Sequence, residues 1–196
     1  AVKERVKDRL AIIVKMSMDD GIKNSIWLDE STQTARILDE TGAVDAFELT
    51  MGSSVKNQMY LFRGQTDLEG MSKTQKGIFR LGVKWFGKLV LGEYPYEHLY
   101  MLKSARQFQT VVKKAQLILL GGINDYVHLQ TAMQEGFDFV AMGRALLREP
   151  DIINKLKDNP LGRGRCIQCN KCMSTVFQTT NCVFIPEYAT SSKLPV

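Results

Sequence analysis

The sequence predicts an α/β protein, and within that class about the last four βα units of a (β/α)8 TIM barrel. Three observations predict it. Strand-like and helix-like segments alternate along the chain, the pattern that builds a parallel sheet with helices outside it. Where a strand alternates, as in "IIVKMSMDD", one side is apolar and the other mixed. Strands of an open sheet are covered on both faces, whereas barrel strands turn one side to an interior that accepts polar groups near its mouth. Glycines also gather where the third and fourth strands end.

The units follow in order. "AIIVKMSM" (11–18) is rich in branched residues and reads as the first strand. Ile12, Val14, Met16 and Met18 share one side of it, and Ile13, Lys15, Ser17 and Asp19 the other. "DESTQTARILDETG" (29–42) follows with helical spacing and a glycine stop. "AFELTMG" (46–52) is the second strand, with Phe47, Leu49 and Met51 opposite Glu48 and Thr50. Its helix, "PYEHLYMLKSARQFQTVV" (95–112), is delayed by an insertion over 53–94. "AQLILLGG" (115–122) is the third strand, and "NDYVHLQTAMQEG" (124–136) its helix, with an Asn or Asp cap and a glycine stop. "FDFVAMG" (137–143) is the fourth strand, and "RALLREPDIINKLKDN" (144–159) its helix. Residues 1–159 are thus read as the barrel half and 160–196 as a cysteine-containing segment. A whole barrel takes roughly 250 residues and eight units. The expected partner is therefore a missing N-terminal half, or a second copy of the chain. The initial Ala1 agrees with a fragment.

Within the insertion, Lys76, Arg80, Lys84 and Lys88 recur every fourth residue, and Ile78, Leu81, Trp85 and Leu89 fall on the opposite side. This predicts a basic amphipathic helix, a solvated charged face over packed apolar residues. An anionic partner (a cofactor phosphate, an acyl-CoA or a membrane surface) is the less favoured expectation. The net charge of +5 suits an anionic ligand and is too small for a nucleic-acid-binding tail. No apolar run approaches the ~20 residues that cross a bilayer, and no signal-peptide pattern is present. All four cysteines fall within 166–182, which points to metal or redox chemistry in the reducing cytoplasm rather than to a secreted disulfide framework.

Gly121 and Gly122 stand where a strand gives way to a helix, and Gly143 and Arg144 stand at the equivalent point of the next unit. Bare turns let main-chain amides approach a ligand, and a guanidinium fork matches a dianionic phosphate. The alternative is that the glycines serve tight turns and Arg144 pairs with an acid. Lys15 points inward near the mouth, where a cation would hold negative charge developing on a bound ring; a plain ion pair with Glu48 is also expected. His98 and His128 fall on helices away from strand ends, and no serine–histidine–acid set is visible. Cys166, Cys169, Cys172 and Cys182 follow a C-x2-C-x2-C-x9-C pattern that suits an iron–sulfur cluster more than the paired knuckles of a zinc ribbon.

Taken together, "IIVKMSMDD", "AVDAFELTMGSS", "LILLGGIND", "FVAMGRALLREPDIINKL" and "CIQCNKC" resemble the C-terminal half of the old yellow enzyme superfamily of NADH:flavin oxidoreductases. The resemblance is to the branch of 2,4-dienoyl-CoA reductase and trimethylamine dehydrogenase. It implies a barrel holding FMN across its mouth, NAD(P)H as electron donor and an enone- or enoyl-like small-molecule acceptor. By the same resemblance Lys15 lies at the flavin pyrimidine edge as the catalytic cation. Gly121, Gly122, Gly143 and Arg144 hold the phosphate, and the cysteines bind a [4Fe-4S] cluster. The nine-residue interval before Cys182 is shorter than in the cluster-binding members. The family's substrate-binding and proton-donating residues lie largely in the first half of the barrel. Two other readings remain: a phosphate-binding aldolase or isomerase barrel using Lys15, and a non-enzymatic zinc-binding interaction module.

Overall fold

The computed structural model describes residues 1–74, 77–175 and 180–185. After a short helix α1 (Val2–Val6), the elements run β1 (Ile13–Ser17), α2 (Leu28–Glu40) and β2 (Ala46–Thr50). The insertion holds α3 (Gln58–Leu61), α4 (Leu68–Lys73) and α5 (Ile78–Leu91). Then come α6 (Leu102–Val111), β3 (Gln116–Leu120), α7 (Tyr126–Gln134), β4 (Phe139–Ala141), α8 (Arg144–Arg148) and α9 (Ile152–Asp158). A 3-10 turn covers Lys171–Thr175. The strands form one parallel sheet in the order β1-β2-β3-β4. Sequential order with helical returns is the arrangement of successive barrel units.

The two faces of the sheet differ as the alternation predicts. Met18, Phe47, Leu49, Leu117 and Leu119 are buried against Ala35 of α2 and Ala105 and Phe108 of α6. On the other face, in-register pairing sets Lys15 beside Glu48, Glu48 beside Ile118, and Ile118 beside Phe139. That face is open: Ile13 is 56% exposed and Phe139 50%. It is the interior side of the barrel, and four strands alone leave it half lined.

Three expectations about helices need correction. The helix expected over 95–112 begins only at Leu102; residues 95–101 form a strap in which Leu99 takes φ +53° and donates its amide to the Gly122 carbonyl at 3.2 Å. The helix expected over 144–159 breaks into α8 and α9. Pro150 is the cause, since it pushes the residue before it out of the helical region, and Glu149 is extended at φ −140°. The basic helix exists as α5, but with its apolar pole outward. Gly87 faces the body against Leu68 of α4, while Ile78, Leu81, Trp85 and Phe86 are exposed. Arg80, Lys84 and Lys88 are exposed as well; Lys76 and the Leu89 side chain lie outside the described residues.

Asp39 joins two units. Its buried carboxylate accepts from the amides of Lys113, Lys114 and Ala115, so the end of α2 grips the entry to β3. Burial opposes its ionisation, but the three amides and Lys114 outweigh burial and hold the carboxyl below its ordinary value. A depressed carboxylate stabilises the fold above the ordinary carboxylate range, and that contribution fades as pH falls through its folded value. Asp39→Ala is expected to cost about 1–3 kcal/mol in urea unfolding near neutral pH, from amides left without an acceptor. The difference from wild type should shrink in acid; an equal loss at all pH values would contradict this account.

Candidate functional site

The five residues singled out at strand ends converge. Lys15, Gly121, Gly122, Gly143 and Arg144 line one cleft of about 170 Å³ at the C-terminal ends of the strands, with Phe62, Tyr100 and Gln168 completing its wall. Phe62 comes from the insertion and Gln168 from the cysteine segment, so the cleft is built by three stretches distant in sequence.

The two glycine turns are bare for different reasons. Gly121 and Gly122 take φ +100° and +76°, which side chains rarely adopt. A Cβ on Gly121 would come within 2.6 Å of Met101 Cγ, and one on Gly122 within 2.5 Å of the Leu99 amide nitrogen. What approaches this doubled glycine is thus the chain's own strap, in addition to any ligand. Gly143 is the opposite case. Its φ of −100° is negative, its ψ of −83° lies outside the helical and extended regions, and a Cβ there would meet no protein atom within 4 Å. Packing does not explain its missing side chain, and it faces open space beside the cleft.

Arg144 is held in place without an acid. One guanidinium nitrogen, Nη1, donates to the Arg63 carbonyl at 3.0 Å and to Asn170 Oδ1, and the group lies 5.9 Å over the Phe62 ring. Among the described residues no carboxylate pairs with it, which removes the expectation that it merely neutralises an acid. Burial raises the Tyr100 hydroxyl above its ordinary value, with Arg144 and Arg63 opposing. Burial likewise pushes Tyr96 up to about 12. Both phenols are therefore neutral hydrogen-bonding groups near neutral pH. Lys15 makes the expected ion pair, with Nζ 2.7 Å from Glu48 Oε1, and its side chain is 58% exposed. At that exposure the pair contributes little to stability, about 0–1 kcal/mol.

The four cysteines also converge. They surround a void of about 20 Å³ together with Arg144 and Arg148. Gln168 and Asn170, both at φ +56°, alternate with the cysteines and curl the run inward. Asn170 is 2% exposed; its Nδ2 donates to the Phe62 carbonyl at 2.6 Å while its Oδ1 receives Arg144. Asn124 donates to the Cys166 carbonyl at 2.9 Å, and Arg148 reaches Cys182 Sγ at 3.8 Å. Burial raises the Cys166 and Cys172 thiols, neighbouring cysteines raise them further, and Arg144 opposes both. Among the described residues no three of the sulfurs lie within 4.8 Å of one another. A tetrahedral zinc with Zn–S of about 2.3 Å needs sulfurs closer than that, whereas a cubane ligated at four separate irons holds them further apart. Four converging thiols are a donor set that suits a thiolate-bound metal centre.

Sequence reasoning missed Asn170, Asn124, Gln168, Phe62 and Tyr100. The asparagine inside "CNKC" was the one available signal, because a buried polar residue among ligands has to be bonded. Phe62 and Tyr100 carry no local signature.

No family model matches the chain. It is 42% identical over 183 residues to a 4,4'-dithiodibutanoate disulfide reductase of Rhodococcus erythropolis, a match covering 93% of this chain and 45% of that protein. This chain is a homologue of that reductase. It thus spans just under half the length of the curated relative it matches. A solved complex of 2-naphthoyl-CoA reductase with 2-naphthoyl-CoA superposes with a TM-score of 0.60 over 86% of this chain and 21% of that one. At 16% identity that likeness shows the fold alone: four units of a larger (β/α)8 barrel.

The two glycine turns give opposite expectations for stability. Gly122→Ala must place a side chain at positive φ against the strap, and should lose at least about 1–3 kcal/mol in urea unfolding. Gly143→Ala, whose methyl would meet no protein atom, should lose less, within about 1 kcal/mol of wild type. Equal losses would mean that Gly143 is also fixed by packing.

Proposed function

We propose that the full protein is an FMN-dependent oxidoreductase of the NADH:flavin oxidoreductase type, and that this chain supplies the phosphate grip and the ring-facing cation. The observation that carries the proposal is the single cleft lined by Lys15, Gly121–Gly122 and Gly143–Arg144. The space beside Gly143 fits a phosphate, and the Arg144 guanidinium supplies the charge; α8, with five residues, adds little helix dipole. Gln168 Oε1, buried with no partner, offers an acceptor at the cleft wall. Lys15 would favour the anionic form of a reduced ring, with Glu48 fixing its ammonium on the inner face.

Bound FMN would supply the two-electron step, accepting hydride from NAD(P)H and delivering it to an acceptor. The acceptor class is an electron-poor alkene of the enone or enoyl type. The activity of the Rhodococcus relative adds a disulfide to that class. For a disulfide the balance is one NAD(P)H and one proton consumed, one S–S bond broken and two thiols released. Cys166, Cys169, Cys172 and Cys182 would hold a [4Fe-4S] cluster docked on the cleft through Asn170 and Arg144. A cytoplasmic setting, which would keep these thiols reduced, is part of the proposal. No helix among the described residues is long and apolar enough to cross a membrane. The rest of the barrel, from an upstream half, would cover the open inner face.

The competing readings draw less support. A Schiff-base lysine is activated by desolvation or a neighbouring cation, whereas Lys15 is exposed and has a carboxylate at 2.7 Å. A self-contained zinc module would not route its buried asparagine into the barrel mouth.

The full protein, purified without oxygen, should show flavin absorbance and broad cluster absorbance; a colourless preparation that binds no FMN would end the proposal. Gly143→Ala should still fold and lose FMN affinity by at least about tenfold, or about 1.4 kcal/mol. Arg144→Lys should weaken FMN binding because one ammonium replaces a two-pronged donor.

A further inference from the structure

His98 and His128, distant in sequence and expected on separate helices, meet outside the cleft. His98 lies in the strap before α6, whereas His128 is in the first turn of α7, just behind its cap Asp125. The imidazoles stack with centroids 3.9 Å apart and 6° between their planes. Asp125 Oδ1 accepts the His128 amide at 2.9 Å and lies 2.5 Å from His128 Nδ1. Tyr96 Oη lies 3.3 Å from His98 Nδ1. One potential ligand atom from each of His98, Asp125 and His128 falls within 4.8 Å of the other two.

This is the chemistry of a cation site rather than of a packed core. Asp125 is buried and fixed by its capping bond, so its negative charge is held in place. Asp125 Oδ1 engages His128 Nδ1 and the Tyr96 phenol engages His98 Nδ1, which leaves both Nε2 atoms and the second carboxylate oxygen of Asp125 to ligate. Outer partners on the second nitrogen are the usual support of metal-bound histidine. His98 is exposed, which gives an ion a way in and lets that ring turn out of the parallel stack toward its neighbour. Two imidazoles and one carboxylate suit Zn2+, Co2+, Ni2+ or Cu2+ and fit Mg2+ or Ca2+ poorly.

We propose that His98, Asp125 and His128 form a binding site for a divalent transition-metal ion, separate from the cysteine centre. The ion ties the strap to α7. The strap backbone is what presses on Gly122, so the clasp closes directly behind the glycine turn. The proposal stands independently of flavin binding.

The test is a Co2+ titration of the full chain whose cysteines have been blocked with iodoacetamide, read by absorbance and by thermal melting. Cobalt on nitrogen and oxygen gives weak visible bands and no thiolate charge-transfer band. The expected result is one equivalent bound with that signature and a melting temperature that rises with Co2+. Affinity should fall at least about tenfold in both His98→Ala and His128→Ala. His98→Ala removes an exposed ring and should fold, so the test survives even if His128→Ala does not. The proposal is overturned if the blocked chain binds no cobalt, if all bound cobalt shows thiolate charge transfer before blocking, or if His98→Ala binds as wild type does.

Discussion

One hydrogen-bonded triangle holds the candidate site together. Arg144, at the end of β4, donates to the Arg63 carbonyl in the insertion and to Asn170 among the cysteines. Asn170 closes the figure by donating to the Phe62 carbonyl. Each corner comes from a different part of the chain. A half-buried guanidinium that meets no carboxylate among the described residues needs other acceptors, and a buried asparagine needs both ends of its amide satisfied. Each group therefore requires the others, and the cleft and the cysteine centre share a wall as a result. Charge at either centre is felt at the same guanidinium.

The strands were legible in the sequence and the connections were not. Alternation over 11–18 and 46–52 located β1 and β2 and told which side faces the helices, because a parallel strand's side chains divide strictly by parity. Lys15 beside Glu48 followed from the same parity. The strap at 95–101 was read as helix, since its aromatic and apolar residues mimic helical spacing; what decides its shape is Leu99 bonding to Gly122, a contact no local pattern encodes. Pro150 was in plain view and marked the break between α8 and α9.

The site was half legible in the same way. Residues at strand ends have positions dictated by topology, so Lys15, the glycines and Arg144 could be placed from order alone. Residues reaching the cleft from the insertion and the cysteine run could not, because their approach depends on long-range packing. The doubled glycine is instructive: its position was right, but positive φ and the strap explain it at least as fully as a ligand does. α5 reversed the usual logic. Its apolar pole was expected inside, yet the small Gly87 lets that side of the helix lie against Leu68 and leaves Trp85 facing outward.

The half-lined sheet has a consequence for how such a chain behaves in a test tube. Among the described residues β1 and β4 are both edge strands, with no strand paired on their outer sides. Beside them lie Ile13 and Phe139, apolar and uncovered. Separated from the strands that would close the ring, these edges act as templates for neighbouring molecules. Such a preparation should grow into stacked assemblies as its concentration rises, and its shelf life would be set by polymerisation rather than by unfolding.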